Sequence, residues 1–215
     1  MRDTVSRALQ HKLKNEDVFP AAHPPATGED TLSLVGNQDI KNIGDTLSLI
    51  KRDVFQRAVD LILDAPQVHT VGLGISYLMA NILAYQLNQV GKKAAAFRQG
   101  STTFAEQILF AGKGDALVGI SFPPYYQETV DAVRLAREKK MTVIAITNKS
   151  SAPVAMYADA ALIVKSENVL FTNSFAAMAM LINAISTECA VRDKARARTM
   201  LHQANEATKD RIFTP

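Results

Sequence analysis

A single cysteine, Cys189, leaves the chain without an internal disulfide and suits a reducing compartment. With Ala184, Ile185 and Val191 nearby in sequence, its thiol reads as a small core hydrophobe. Long hydrophobic runs are missing as well. The most apolar stretch, Val169 to Ile185, is broken by Thr172, Asn173, Ser174 and Asn183, as in a buried helix and unlike a membrane span. The beginning of the sequence, MRDTVSRALQHKLKNED, is charged throughout and shows no signal-peptide pattern, so a cytoplasmic location is expected. Charge of one sign is scarce too. The 24 lysines and arginines stand against 21 acids, and a surplus of +3 does not choose between nucleic acid, anionic metabolites and plain solvent. His11, His23, His69 and His202 are scattered, and no zinc spacing, Walker-type loop or Gly-x-Ser-x-Gly elbow occurs. Neither a metal nor a cofactor is expected.

What is present is 215 residues, 47% of them hydrophobic, enough for one substantial core with some chain to spare. Residues 3–15 place Val5, Leu9 and Leu13 on one helical face. A breaker-rich linker, FPAAHPPATGED, follows. From about Asp39, Ile43, Leu47, Ile50, Val54, Ala58, Leu61 and Ile62 recur at helical spacing, as one helix or two. Strands are then expected at 68–73, 94–97, 116–120, 142–147 and 160–164. Helices follow to about residue 90, over 103–111 and from about Gln127, with a helical turn to Tyr157 and a long helix from about Thr172 through Cys189. Apolar strands alternating with helices predict a three-layer α/β/α domain around a five-stranded parallel sheet in flavodoxin-like order. The expected division is an N-terminal helix and linker over 1–37, a main domain with its leading helix over 38–192, and a charged helical tail over 193–215.

In that order the switch point lies between the first and third strands, and three loops meet there: Gly74-Ile75-Ser76, Ser121 to Glu128, and Thr147 to Ser151. Each follows a strand and opens a helix, where unpaired N–H groups attract anions. The candidate ligand-binding residues are Gly74, Ser76, Ser121, Tyr125, Tyr126, Glu128, Thr129, Thr147, Ser150 and Ser151. Their hydroxyls suit a phosphorylated polyol, whose phosphate and ring hydroxyls require donors and acceptors together. The plainer reading makes Ser76, Thr129 and Ser151 helix caps. A dinucleotide fingerprint fails at Tyr77, where its third glycine would fall, and no acid follows the second strand to hold a ribose.

These residues also carry a resemblance. Gly-x-Gly-x-Ser after the first strand, Ile-Ser before the third helix and Ala-Ile-Thr-Asn after the fourth strand resemble the sugar isomerase, or SIS, domain over about residues 68–190. Gln38 to Ile43 and Ser166 to Asn183 look more specifically like the effector half of RpiR-type transcription regulators. That resemblance implies an SIS fold, a sugar-phosphate or related polyol ligand and a homodimer or homotetramer, with no membrane role. DNA would be bound only if a helix-turn-helix domain lies upstream, since a complete one needs more helices than fit before Pro20.

The phosphate loop of SIS domains reads Ser-x-Ser-Gly-x-Thr-x-Glu-Thr, and this chain has Ser121-Phe122-Pro123-Pro124-Tyr125-Tyr126-Gln127-Glu128-Thr129. Ser121, Glu128 and Thr129 match. Pro123 and Pro124 remove two N–H donors and the glycine that permits close approach. Tyr125 and Tyr126 offer hydroxyls and flat faces for a sugar ring, or packing surface for a second subunit. A phosphosugar aldose–ketose isomerase would need a general base, for which Glu106 and Glu167 are the candidates. A sensor needs only differential binding, and with no histidine in the three loops it is the expected function.

Overall fold

A computed structural model describes residues 30–169 and 172–209. The expected helix over 3–15 and the proline-rich linker lie outside the described residues. The chain runs α1 (Thr31–Leu49), α2 (Arg52–Asp64), β1 (Val68–Val71), α3 (Ile75–Gln89), β2 (Ala94–Ala96), α4 (Phe104–Phe110), β3 (Ala116–Ile120) and α5 (Gln127–Glu138). It continues through β4 (Thr142–Thr147), a 3-10 turn (Pro153–Tyr157), β5 (Ala160–Ile163), α6 (Ala176–Arg192) and α7 (Lys194–Thr208). The five strands pair in parallel in the order β2-β1-β3-β4-β5.

Strand alternation divides the core between the two faces of the sheet. Val118, Ile120, Ile144 and Ile146 point into one layer, where they meet Ala58 and Ile62 of α2, Leu83 and Leu87 of α3, and Met178, Leu181 and Ile185 of α6. Leu117, Val143 and Ala145 point into the other, against Phe104 and Ile108 of α4 and Val133 and Ala136 of α5. Gly119 lets α5 sit close on β3, because a Cβ there would meet Val133 Cγ2 at 2.5 Å. Cys189 is buried in the first layer, as its apolar neighbours suggest, and burial pushes its thiol up to about 11.

Among the described residues, two helices and not one precede the sheet. Ile50 and Lys51 are both extended and separate α1 from α2. The helix α1 starts at Thr31, where the Asp30 carboxylate accepts the Ser33 amide at 3.0 Å, so it begins well ahead of Asp39. It packs against α6 and clasps the segment after β5. Asn42 Nδ2 donates to the Glu167 carbonyl at 2.6 Å, the Lys165 amide donates to Thr46 Oγ1 at 2.9 Å, and Ser174 Oγ donates to Asp39 Oδ1 at 2.5 Å. The helix α6 starts at Ala176 and not at Thr172. Ser174, just ahead of it, gives its amide to the Ser166 carbonyl and its hydroxyl to α1. The tail forms α7, which buries no residue. Among the described residues, no helix is long and apolar enough to cross a membrane.

Candidate functional site

Strands β1 and β3 are neighbours, and the chain leaves their carboxyl ends toward opposite layers, α3 on one side and α5 on the other. The crevice between those two helix starts is fixed by topology. On the β1 side the turn is held tight by glycine. A Cβ at Gly72 would lie 2.7 Å from the carbonyl carbon and oxygen of Ser76, so the turn folds directly back on the first helical turn. Gly74 has φ 61°, the left-handed region that favours glycine. A Cβ at Gly74 would stand 3.7 Å from Tyr126 Cε2, which places the Tyr126 ring over this turn and brings the first two loops together.

The β3–α5 turn is fastened on several sides. The Ser121 amide donates to the Ile146 carbonyl at 3.1 Å, and its own carbonyl accepts the Thr147 hydroxyl at 2.6 Å. Pro123 and Pro124 are joined by a cis peptide bond, and Asn173 Nδ2 donates to the Pro123 carbonyl. The Tyr125 hydroxyl donates to Asn148 Oδ1 at 2.6 Å, tying this turn to the loop after β4. Burial raises the Tyr125 pKa, opposed by the Asn148 hydrogen bond. The Lys149 ammonium lies 5.8 Å from the centre of the Tyr125 ring.

Neither helix start at the crevice carries a side-chain cap. Gly74 is the N-cap of α3 and Tyr126 that of α5, while Ala152 precedes the 3-10 turn, also without one. Ser76 and Thr129 therefore sit inside their first helical turns, and Ser151 caps nothing. Thr129 is 1% exposed, and its Oγ1 has no hydrogen-bond partner within the protein. A buried hydroxyl in that state costs about 1–3 kcal/mol, which a ligand oxygen or an ordered water would recover. The α5 start also leaves the amides of Gln127 and Glu128 without intrahelical partners, so the dipole end is positive.

Ser76, Ser121 and Thr147 are buried, Tyr125 is half-buried, and Tyr126, Glu128, Ser150 and Ser151 are exposed. Glu128 lines a cavity of about 570 Å³ between the segment after β2, α4 and α5, together with Gln99, Gly100, Asp131 and Arg134. The two catalytic candidates lie elsewhere. Glu106 closes a capping box with Thr103, whose amide and hydroxyl donate to its carboxylate at 2.7 and 2.9 Å and hold its pKa below the ordinary value. Glu167 is exposed, follows β5 and faces Lys165 at 3.8 Å.

Three residues at the crevice were not among the candidate ligand-binding residues: Asn148, Lys149 and Asn173. Asn148 and Lys149 lie inside the Thr147 to Ser151 loop that the sequence had already placed there. Asn173 does not, and it lies fifty residues from the carbonyl it holds.

The family described as the SIS domain matches residues 61–187. The uncharacterized HTH-type transcriptional regulator YbbH of Bacillus subtilis is 33% identical over 165 residues, 77% of this chain and 56% of that regulator. This chain spans about half the length of that relative. Among solved structures, the sugar isomerase domain of an RpiR transcription factor from Sphaerobacter thermophilus gives a TM-score of 0.80 at 28% identity, over 83% of this chain and 99% of that one. The Vibrio vulnificus NanR protein complexed with ManNAc-6P shares the fold, with a TM-score of 0.76 at 20% identity over 88% of this chain and 72% of that one.

Proposed function

Since the chain belongs to the SIS domain family, we propose that it is the ligand sensor of an RpiR-type transcription regulator and binds a phosphorylated sugar in the β1–β3 crevice. The observation that carries this reading is the likeness to the RpiR sugar isomerase domain, which extends over nearly all of that domain. The crevice supports it chemically. Two uncapped helix starts supply N–H donors, Thr129 supplies an unsatisfied hydroxyl, and Tyr125 and Tyr126 supply flat faces for a ring. NanR, which has the same fold, is known as a complex with a sugar phosphate. The glutamates considered as bases are engaged in a helix cap or exposed beside a lysine, which favours sensing over isomerisation.

The regulator would work in the cytoplasm as a homodimer or homotetramer, with DNA read by a helix-turn-helix domain like those of its relatives. Leu78, Ile82 and Tyr85 form an exposed apolar stripe on α3 that suits a second copy. The test is a melting-temperature screen with hexose and N-acetylhexosamine 6-phosphates and the corresponding free sugars. A true ligand at a hundred times its Kd stabilises the protein by about 2.7 kcal/mol. If no sugar phosphate raises the melting temperature, the reading fails. Exchange of the C2 proton of a bound sugar phosphate, abolished by Glu106→Gln or Glu167→Gln, would replace it with an isomerase.

A further inference from the structure

We infer that Lys149 is the anion anchor of this crevice, taking over the role that a proline-free phosphate loop would fill with backbone N–H groups. The inference rests on the sugar-phosphate reading and names the group that recognises the ligand's charge. The three crevice loops, residues 72–76, 121–129 and 147–151, contain one basic residue between them, and it is Lys149. Pro123 and Pro124 have withdrawn two amides from the middle loop, so a ligand anion there meets fewer neutral donors.

Its placement is specific. Lys149 follows β4 directly after Asn148, whose side chain accepts the Tyr125 hydroxyl at 2.6 Å, and its ammonium stands 5.8 Å from the Tyr125 ring centre. An aromatic face orients an ammonium without neutralising it, because the ring carries no net charge. Elsewhere on the surface, Arg134, Arg137, Arg192 and Arg196 are each held by carboxylates. Lys149 makes no such pair among the described residues. Tyr125, at a variable position of the loop, thus positions a cation contributed by the segment after β4. A single ammonium is a compact, rotatable donor, so the loop tolerates anions of varied orientation better than a backbone nest does.

A rival cation on this edge of the sheet is Arg98, just beyond β2, which donates to the Tyr77 hydroxyl at 3.2 Å. Both cations are exposed, so removing either side chain leaves the core untouched. The experiment compares the wild type, Lys149→Met, Lys149→Arg and Arg98→Met by two-dimensional NMR during titration with inorganic phosphate. It then compares them by calorimetry with whichever sugar 6-phosphate stabilises the wild type. We expect phosphate to shift the resonances of Tyr125, Asn148 and Lys149. We also expect Lys149→Met to weaken both anions about tenfold and flatten the salt dependence, with Lys149→Arg in between. Arg98→Met should bind as the wild type does.

Unchanged affinity and salt dependence in Lys149→Met would overturn the assignment while leaving the sugar-phosphate reading intact. So would a loss confined to Arg98→Met, or phosphate shifts that avoid these residues. Phosphate binding that depends on Lys149 in a protein that no sugar phosphate stabilises would do the reverse, keeping the anchor and removing the proposed function.

Discussion

The start of α4 and the start of α5 lie in the same layer, line the same cavity and are finished in opposite ways. At α4, Thr103 and Glu106 satisfy each other's backbone in a full capping box. At α5, Tyr126 offers no cap, and Thr129 in the first turn has a buried hydroxyl with no partner. One helix start is chemically closed and the other is open. Position at the carboxyl edge of a parallel sheet does not by itself leave donors free. What matters is whether the sequence has already spent the donors there on itself. The same contrast explains why Glu106 makes a poor base, as both Thr103 donors stabilise its charged form.

The largest effect should come from closing an open start by force. Gly72→Ala places a methyl 2.7 Å from the Ser76 backbone, which cannot rotate away. We expect a loss of about 1–3 kcal/mol in denaturant unfolding, together with loss of sugar-phosphate binding as the α3 start is displaced. An unchanged midpoint would show that the tight β1–α3 turn is not needed. Next comes a paired test of the comparison itself. Thr103→Ala should cost about 1 kcal/mol of stability and leave ligand affinity alone. Thr129→Val should leave the free protein within about 0.5 kcal/mol of the wild type, or more stable, and weaken binding about threefold to tenfold. If both variants lose stability equally, the Thr129 hydroxyl has a structural partner and α5 is closed as well.

The smallest effect is a pH dependence. The Glu106 carboxyl has its pKa lowered in the folded protein by the Thr103 amide and hydroxyl. Its contribution is therefore fully present above its ordinary value of 4.5 and fades as pH falls through the lowered folded value. The stability difference between the wild type and Glu106→Gln should be visible at pH 7 and close on acidification. A difference that persists at low pH would mean that the box stabilises through packing and not through charge.

Much of the architecture was legible in the sequence because it depends on local periodicity. Val68–Val71, Ala116–Ile120 and Thr142–Thr147 announce themselves as buried parallel strands, and the β3–α5 boundary at Gln127 followed from its prolines and tyrosines. The strand order alone places three loops around one crevice. The candidate site was legible only as a set of loops. Whether Ser76, Thr129 and Ser151 cap helices depends on where each helix begins, within one or two residues, and periodicity does not resolve that.

The sequence by itself determined the sheet, its order, the edge that carries the candidate site and the loss of two donors at Pro123 and Pro124. Only the tertiary structure decided which groups there remain unspent. The Thr147 hydroxyl is committed to the Ser121 carbonyl, and Asn173 to that of Pro123, while Thr129 is buried without a partner and Lys149 rests on a neutral ring. The physical reason is range. Strands and helices follow from neighbours a few residues apart, whereas each of these contacts, and the clasp of α1 on the segment after β5, joins residues tens of positions apart.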